Sequence, residues 1–178
     1  MEISTRKLRI PARPISDEEY RQEKDMYEAM LKEDFQTAGT PGERLVHDSI
    51  LAARRDRSLG ILERYEELRQ DPFFTMELHV AALDDVGFAV SPFELYMDYM
   101  HRIQARSPFV QTFNIQLGPN EYSDRYSGYL PTERGFEGKG YSASRYCNIV
   151  GPEGGQILVE ETLRDLQSLH AKINTPAS

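Results

Sequence analysis

The chain is poor in the features that would staple it, anchor it in a bilayer or attach it to a polyanion. One cysteine, Cys147, stands among 178 residues, so no disulfide can close within it. A cysteine-poor chain suits any compartment, and localisation stays open. No apolar run approaches the roughly 18 residues of a membrane span, so no transmembrane segment is expected. Met1 is followed by Glu2 and then by Arg6, Lys7 and Arg9 with no apolar stretch behind them, so no secretory signal is expected in these residues. Cations are in deficit: Lys and Arg number 21 against 29 Asp and Glu, a formal net charge of −8. Phosphate contacts need clustered cations, so nucleic acid is not an expected partner. No two histidines have His-x-x-x-His spacing, no Gly-x-Ser-x-Gly appears, and no lysine follows the glycine-rich stretch Gly151–Gly155 as a P-loop requires.

What is present suffices for a folded core. Apolar residues make up 39% and aromatic residues 10%, and this length can bury a sizeable interior. Residues 2–13 alternate around Ile3, Leu8 and Ile10, which predicts a basic-faced strand ended by Pro11 and Pro14. Ser16 with Glu19 three residues on marks a helix start by a capping box. That helix is expected to reach about Phe35, with Tyr20, Met26, Tyr27, Met30 and Leu31 turned inward. After the break at 37–42 a second helix covers about 42–69, with Leu45, Ile50, Leu51, Leu59, Leu62 and Leu68 as its apolar positions.

From Phe73 the texture changes. Met76, Leu78 and Val80 alternate with Glu77 and His79, a half-buried strand. Asp84-Asp85 reads as a hairpin turn, and Val86–Val90 as a central strand, apolar on both faces. A helix is expected over about 93–106, a strand over 109–117, an irregular loop over 118–152, and a last helix from about Glu153 to Ile173. The order predicts a mixed α/β fold, a small mixed sheet packed with helices. Residues 1–178 are expected to form a single domain or a C-terminal half-domain, with 1–70 as a strand plus two helices and 71–178 as sheet, tyrosine-rich loop and C-terminal helix.

Three features could carry chemistry. Glu94 follows an apolar strand, the position at which α/β proteins place their crevices, although an acid in a first helical turn is also favoured by the dipole alone. The loop of 118–146 holds Tyr122, Tyr126, Tyr129, Tyr141 and Tyr146, five of ten tyrosines. Loops this long are uncommon and often functional, and tyrosine joins a rigid apolar body to a hydrogen-bonding tip. Gly151–Gly155 opens a helix, where an anion could bind, but Glu153 opposes it. His47, His79, His101 and His170 read as structural, and Cys147 has no base near it in sequence.

An ordered set of short motifs adds to this. Met76–Val80 with Asp85–Val90, Ser91-Pro92-Phe93-Glu94-Leu95, Ala105–Phe109, Gly128–Thr132, Gly138–Tyr141 and Gly151-Pro152 together resemble the C-terminal part of the catalytic domain of neutral/alkaline non-lysosomal ceramidases, closest to their uncharacterised bacterial relatives. The resemblance covers about 73–170, with residues 16–70 matching loosely. It implies the C-terminal portion of a larger α/β hydrolase domain that cleaves an N-acyl amide at a zinc ion, on a small-molecule or lipid substrate. Glu94 matches the family's zinc-binding glutamate and Tyr129 its zinc-binding tyrosine, while Tyr141 matches a tyrosine beside the reacting amide. Phe93 stands where the family motif has glycine. The two zinc-binding histidines of the family have no counterpart in these residues, so the expected partner is a missing N-terminal half, without which the chain is expected to be inactive. The alternative is a non-catalytic binding module built on the same half-domain, with the tyrosines as its contact surface.

Overall fold

The computed structural model describes residues 1–122 and 127–175. The chain divides into two compact units, one made of Met1–Arg13 with the chain from Phe73 onward, the other of Pro14–Pro72. The first strand therefore belongs with the C-terminal residues, not with the two helices that follow it. The reason is backbone pairing: β1 (Glu2–Pro11) runs antiparallel to β2 (Phe73–Leu83) along its whole length.

The sheet of this unit has the order β1-β2-β3-β5. β3 (Val86–Val90) returns antiparallel to β2 through the turn at Asp84, whose φ is 54°. β5 (Gln111–Ile115) lies parallel to β3, so β3 is internal. The mixed α/β class expected from the pattern is the class observed. Period-two alternation fixes which face is covered. Leu8, Ile10, Phe74, Met76, Leu78, Val80 and Ala82 are buried on one face, against α5 (Pro152–Asn174), which buries Leu158, Val159, Leu163 and Leu166. Arg6 on that face is clamped by Glu161 at 2.7 Å and Asp165 at 2.8 Å. The opposite face stays half-open: Phe113 is 50% and Ile115 46% exposed, with Phe113 stacked on Phe88. Phe113 and Ile115 are the large apolar residues of this strand. They face outward because Thr112 takes the covered side.

Close packing accounts for the glycine-rich start of α5. A Cβ on Gly154 would stand 2.9 Å from the Pro11 carbonyl oxygen, and one on Gly155 would overlap the Tyr99 ring. Both glycines are buried. They let α5 approach β1 and α3 (Met97–Arg106).

The second unit is an antiparallel hairpin of α1 (Asp17–Leu31) and α2 (Pro41–Gln70). Both helices open with complete capping boxes, Ser16 with Glu19 and Thr40 with Glu43. Tyr20 stacks on Tyr65, Ser58 donates to the buried Glu23 at 2.6 Å, and Arg55 donates to the Met30 carbonyl oxygen at the end of α1. Of the expected inward positions Met30 and Leu51 are buried, as is Ile61, whereas Met26, Leu31, Leu45 and Ile50 are at least half exposed. A helix with one neighbouring helix in its unit buries a single strip, narrower than the full apolar pattern.

In the first unit, Tyr99 on α3 packs against Gly155 at the start of α5. It is 2% exposed, donates to the Pro131 carbonyl oxygen at 3.0 Å, and burial pushes its phenol up from 10.0 to about 12. The folded chain thus holds this proton more tightly than the unfolded chain does. Its stabilising effect is whole below pH 10 and is lost as pH rises from 10.0 toward about 12. The expected loss across that interval is roughly 2–3 kcal/mol. Urea denaturation at about pH 8 and at about pH 11.5 measures it. Tyr99→Phe is expected to be weaker at the lower pH and to lose correspondingly less on going to the higher.

Candidate functional site

Glu94 does not open a helix. It forms with Leu95 a two-residue strand, β4 (Glu94–Leu95), paired parallel with β6 (Tyr129–Leu130), and the helix begins only at Met97. The helix-dipole reading of Glu94 falls with this. Phe93 and Leu95, 0% and 8% exposed, flank Glu94 with period two. Burying both needs an extended backbone, and Tyr96 supplies the helix N-cap. The backbone groups are met from several sides. Glu94 N donates to Gly128 O at 3.0 Å, Tyr96 N to Leu130 O at 3.2 Å, and Leu95 N to the Gln116 side chain at 2.6 Å.

The expected irregular loop is only partly irregular. Beyond β6 it contains α4 (Glu133–Glu137) and a single 3₁₀ turn at Tyr141–Ala143. Tyr126 lies outside the described residues. Gly128 makes the approach to β6 possible: its φ is 72°, and a Cβ there would collide with the Cys147 carbonyl oxygen. That oxygen accepts the Tyr129 backbone N–H at 2.8 Å, so β6 is gripped on both edges.

Register then does the positioning. Glu94 is the direct pairing partner of Tyr129, and Leu95 of Leu130. The leucines go inward, 8% and 0% exposed, so Glu94 and Tyr129 share the other side. The Tyr129 phenol donates to the Glu94 carboxylate. The charge of Glu94 foremost, then that hydrogen bond, raises the phenol above its ordinary 10.0. Tyr141 joins them, its ring centroid 6.3 Å from that of Tyr129 at 79° between planes. Tyr146 follows, 5.9 Å from Tyr141 at 70°. The three residues singled out from sequence therefore meet.

Sequence reasoning gave no site role to the residues that hold this arrangement. Asn148 is 0% exposed. Its amide donates to Ser142 O at 3.1 Å and Ser144 O at 2.7 Å, while its oxygen accepts from Arg13 at 2.5 Å. Arg13 also donates to Ala143 O at 3.2 Å and lies 4.5 Å from the Phe136 ring centroid. The turn carrying Tyr141 is thus tied to the end of the first strand. A lone asparagine announces none of this, because its partners are backbone oxygens brought by folding.

A carboxylate beside phenol oxygens can receive a metal ion, a hydrogen-bond donor or an organic cation. Among the described residues no three His, Cys, Asp or Glu side chains gather to hold a metal. A cleft of about 680 Å³ lies between α3, α4 and the start of α5, lined by Asp98, Arg102, Glu133 and Arg134 among others. Its charges are mixed, Arg134 is already paired with Asp98 at 2.6 Å, and Glu94, Tyr129 and Tyr141 do not line it. Comparison of the chain with family models, curated proteins and solved structures finds no match.

The Glu94 charge is the first cause of the Tyr129 shift, so Glu94→Gln is expected to lower the Tyr129 titration toward 10. Ring resonances of isotope-labelled tyrosine, followed against pH and assigned with Tyr129→Phe, measure the change. A Tyr129 midpoint unmoved by Glu94→Gln would contradict the pairing.

Proposed function

We propose that this chain is the C-terminal portion of a zinc-dependent amidohydrolase of ceramidase type, acting on an N-acyl amide of a small molecule or lipid. The observation that carries the reading is the registered pair on β4 and β6, with the Glu94 carboxylate and the Tyr129 phenol in hydrogen-bond contact. These are the two residues that the resemblance assigns to zinc. Carboxylate and phenol oxygens fit half of a four-coordinate donor set, and no further histidine or acid completes it among the described residues. The remaining donors, two histidines by the resemblance, would come from a missing N-terminal half.

In the metal-free chain Glu94 keeps the proton on Tyr129 Oη. Using both oxygens as donors requires that proton to leave, so affinity rises with pH. A zinc ion held by Glu94, Tyr129 and the remaining donors would supply Lewis-acid polarisation and a water of pKa about 7. Tyr141 stands against Tyr129 and is 62% exposed, open to an amide arriving from solvent. A second reading, a non-catalytic interaction surface, draws on the same exposure of Tyr141 and on Tyr146, 39% exposed.

Zinc titration by calorimetry and by tyrosine ring resonances tests the first reading. Weak binding is expected for this chain, strengthening as pH rises. It is expected to weaken by at least about tenfold, roughly 1.4 kcal/mol, in Glu94→Gln and in Tyr129→Phe. Zinc binding indifferent to both substitutions would sink the metal reading and leave the interaction surface.

A further inference from the structure

The face of the four-stranded sheet turned away from α5 is apolar across every strand. Register lines its side chains up in rows that run from β1 through β2 and β3 to β5. One row is Ile3, Ala81, Phe88 and Phe113, and the next is Thr5, His79, Val90 and Ile115. The two polar members, Thr5 and His79, are hydrogen-bonded to each other at 2.9 Å. Leu83 and its partner Val86 extend the patch toward the turn. Ile3 is 61%, Leu83 53% and Phe113 50% exposed. Apolar residues scattered singly over a surface need no explanation, but a contiguous patch in register marks a contact. Strands of five to eleven residues, spaced by about 4.8 Å and rising about 3.4 Å per residue, give the face a footprint of about 500 Å².

We propose that this face is the interface of a homodimer, with a second copy of the chain laid upon it face to face as in a two-sheet sandwich. Area is the first support. Two such footprints together reach the roughly 1,000 Å² that a specific interface needs. The layout of charge is the second. The two middle rows carry no acid, lysine or arginine, so two copies meet there without repulsion. Acids gather at one end of the face, Glu2 opposite Ala82 and Asp84-Asp85 in the turn. At the other end β1 carries Lys7 and Arg9, beside Glu77. A two-fold axis perpendicular to the strands sets the acidic end of each copy over the Lys7 and Arg9 end of the other, a self-complementary contact. An anionic lipid surface lacks that match, because the acidic end and the net charge of −8 oppose it. The inference uses neither Glu94 nor Tyr129 and goes beyond the zinc reading.

Sedimentation equilibrium of the full chain over a range of concentrations tests it. A reversible monomer–dimer equilibrium is expected, with a dissociation constant of about 1–100 μM. Phe113→Asp and Ile3→Asp sit on β5 and β1, the two edges of the sheet. Each is expected to weaken association at least about tenfold, because a carboxylate would be buried against apolar rows. Leu45→Asp on α2, 68% exposed and in the other unit, is expected to associate as the parent does. Circular dichroism checks that each variant is folded. Ile3 is the second residue of β1 and mostly exposed, so its substitution keeps the test open even if Phe113→Asp unfolds. A chain that stays monomeric at about 1 mM, the result if the face serves a different partner, overturns the proposal. So does a dimer indifferent to Ile3→Asp, or one dissociated as strongly by Leu45→Asp. The zinc titration reads Glu94 and Tyr129 alone, so either result can fail without the other.

Discussion

A parallel ladder only two residues long, Glu94-Leu95 against Tyr129-Leu130, holds the candidate site together. So short a ladder is not stable by itself. It persists because Phe93, Leu95 and Leu130 are pulled into the core from the same two segments. It also persists because each strand has a second partner: Gln116 on the β4 side and the Cys147 carbonyl on the β6 side. Alternation does the rest. Once the leucines are committed inward, the acid and the phenol between the buried anchors are forced to a common outer side. Gly128 is the hinge of this arrangement, because its left-handed backbone and missing side chain allow β6 to pass so close to Cys147.

The second constraint is the buried amide of Asn148. Leaving such a group unsatisfied in the interior costs about 1–3 kcal/mol, and here both ends are used, by Arg13 and by the turn at 142–144. The strand that begins the chain thereby fixes the tyrosines that lie far along it. The electrostatics follow from this crowding. A carboxylate packed beside phenols makes any second negative charge costly, and the Tyr129 phenol is held neutral by the same carboxylate that it hydrogen-bonds. A site built this way carries acid charge beside aromatic rings.

Where local pattern alone governs, the sequence was informative. The alternation of Met76, Leu78 and Val80 became a strand buried on that face, the Ser16 capping box formed as written, and Asp84 turned the hairpin. The start of α3 was misjudged because Phe93-Glu94-Leu95 carries a period-two signal only three residues long, beside a longer helical one. The outward side of β5 and the single buried strip of the α1–α2 hairpin were equally invisible. Both depend on how many neighbours an element acquires, which its own residues do not state.

The amino-acid sequence by itself determined the longer elements, their order and the mixed α/β class, because periodicity, capping and turn chemistry are properties of adjacent residues; Tyr129 and Tyr141 were singled out by the family resemblance alone. The tertiary structure alone decided that the first strand joins the C-terminal sheet, that Gly154 and Gly155 serve packing, and that Glu94 faces Tyr129 with Tyr141 and Tyr146 ranged behind it. Those outcomes rest on register between distant segments and on the satisfaction of buried polar groups. Both are settled only when the whole chain closes on itself.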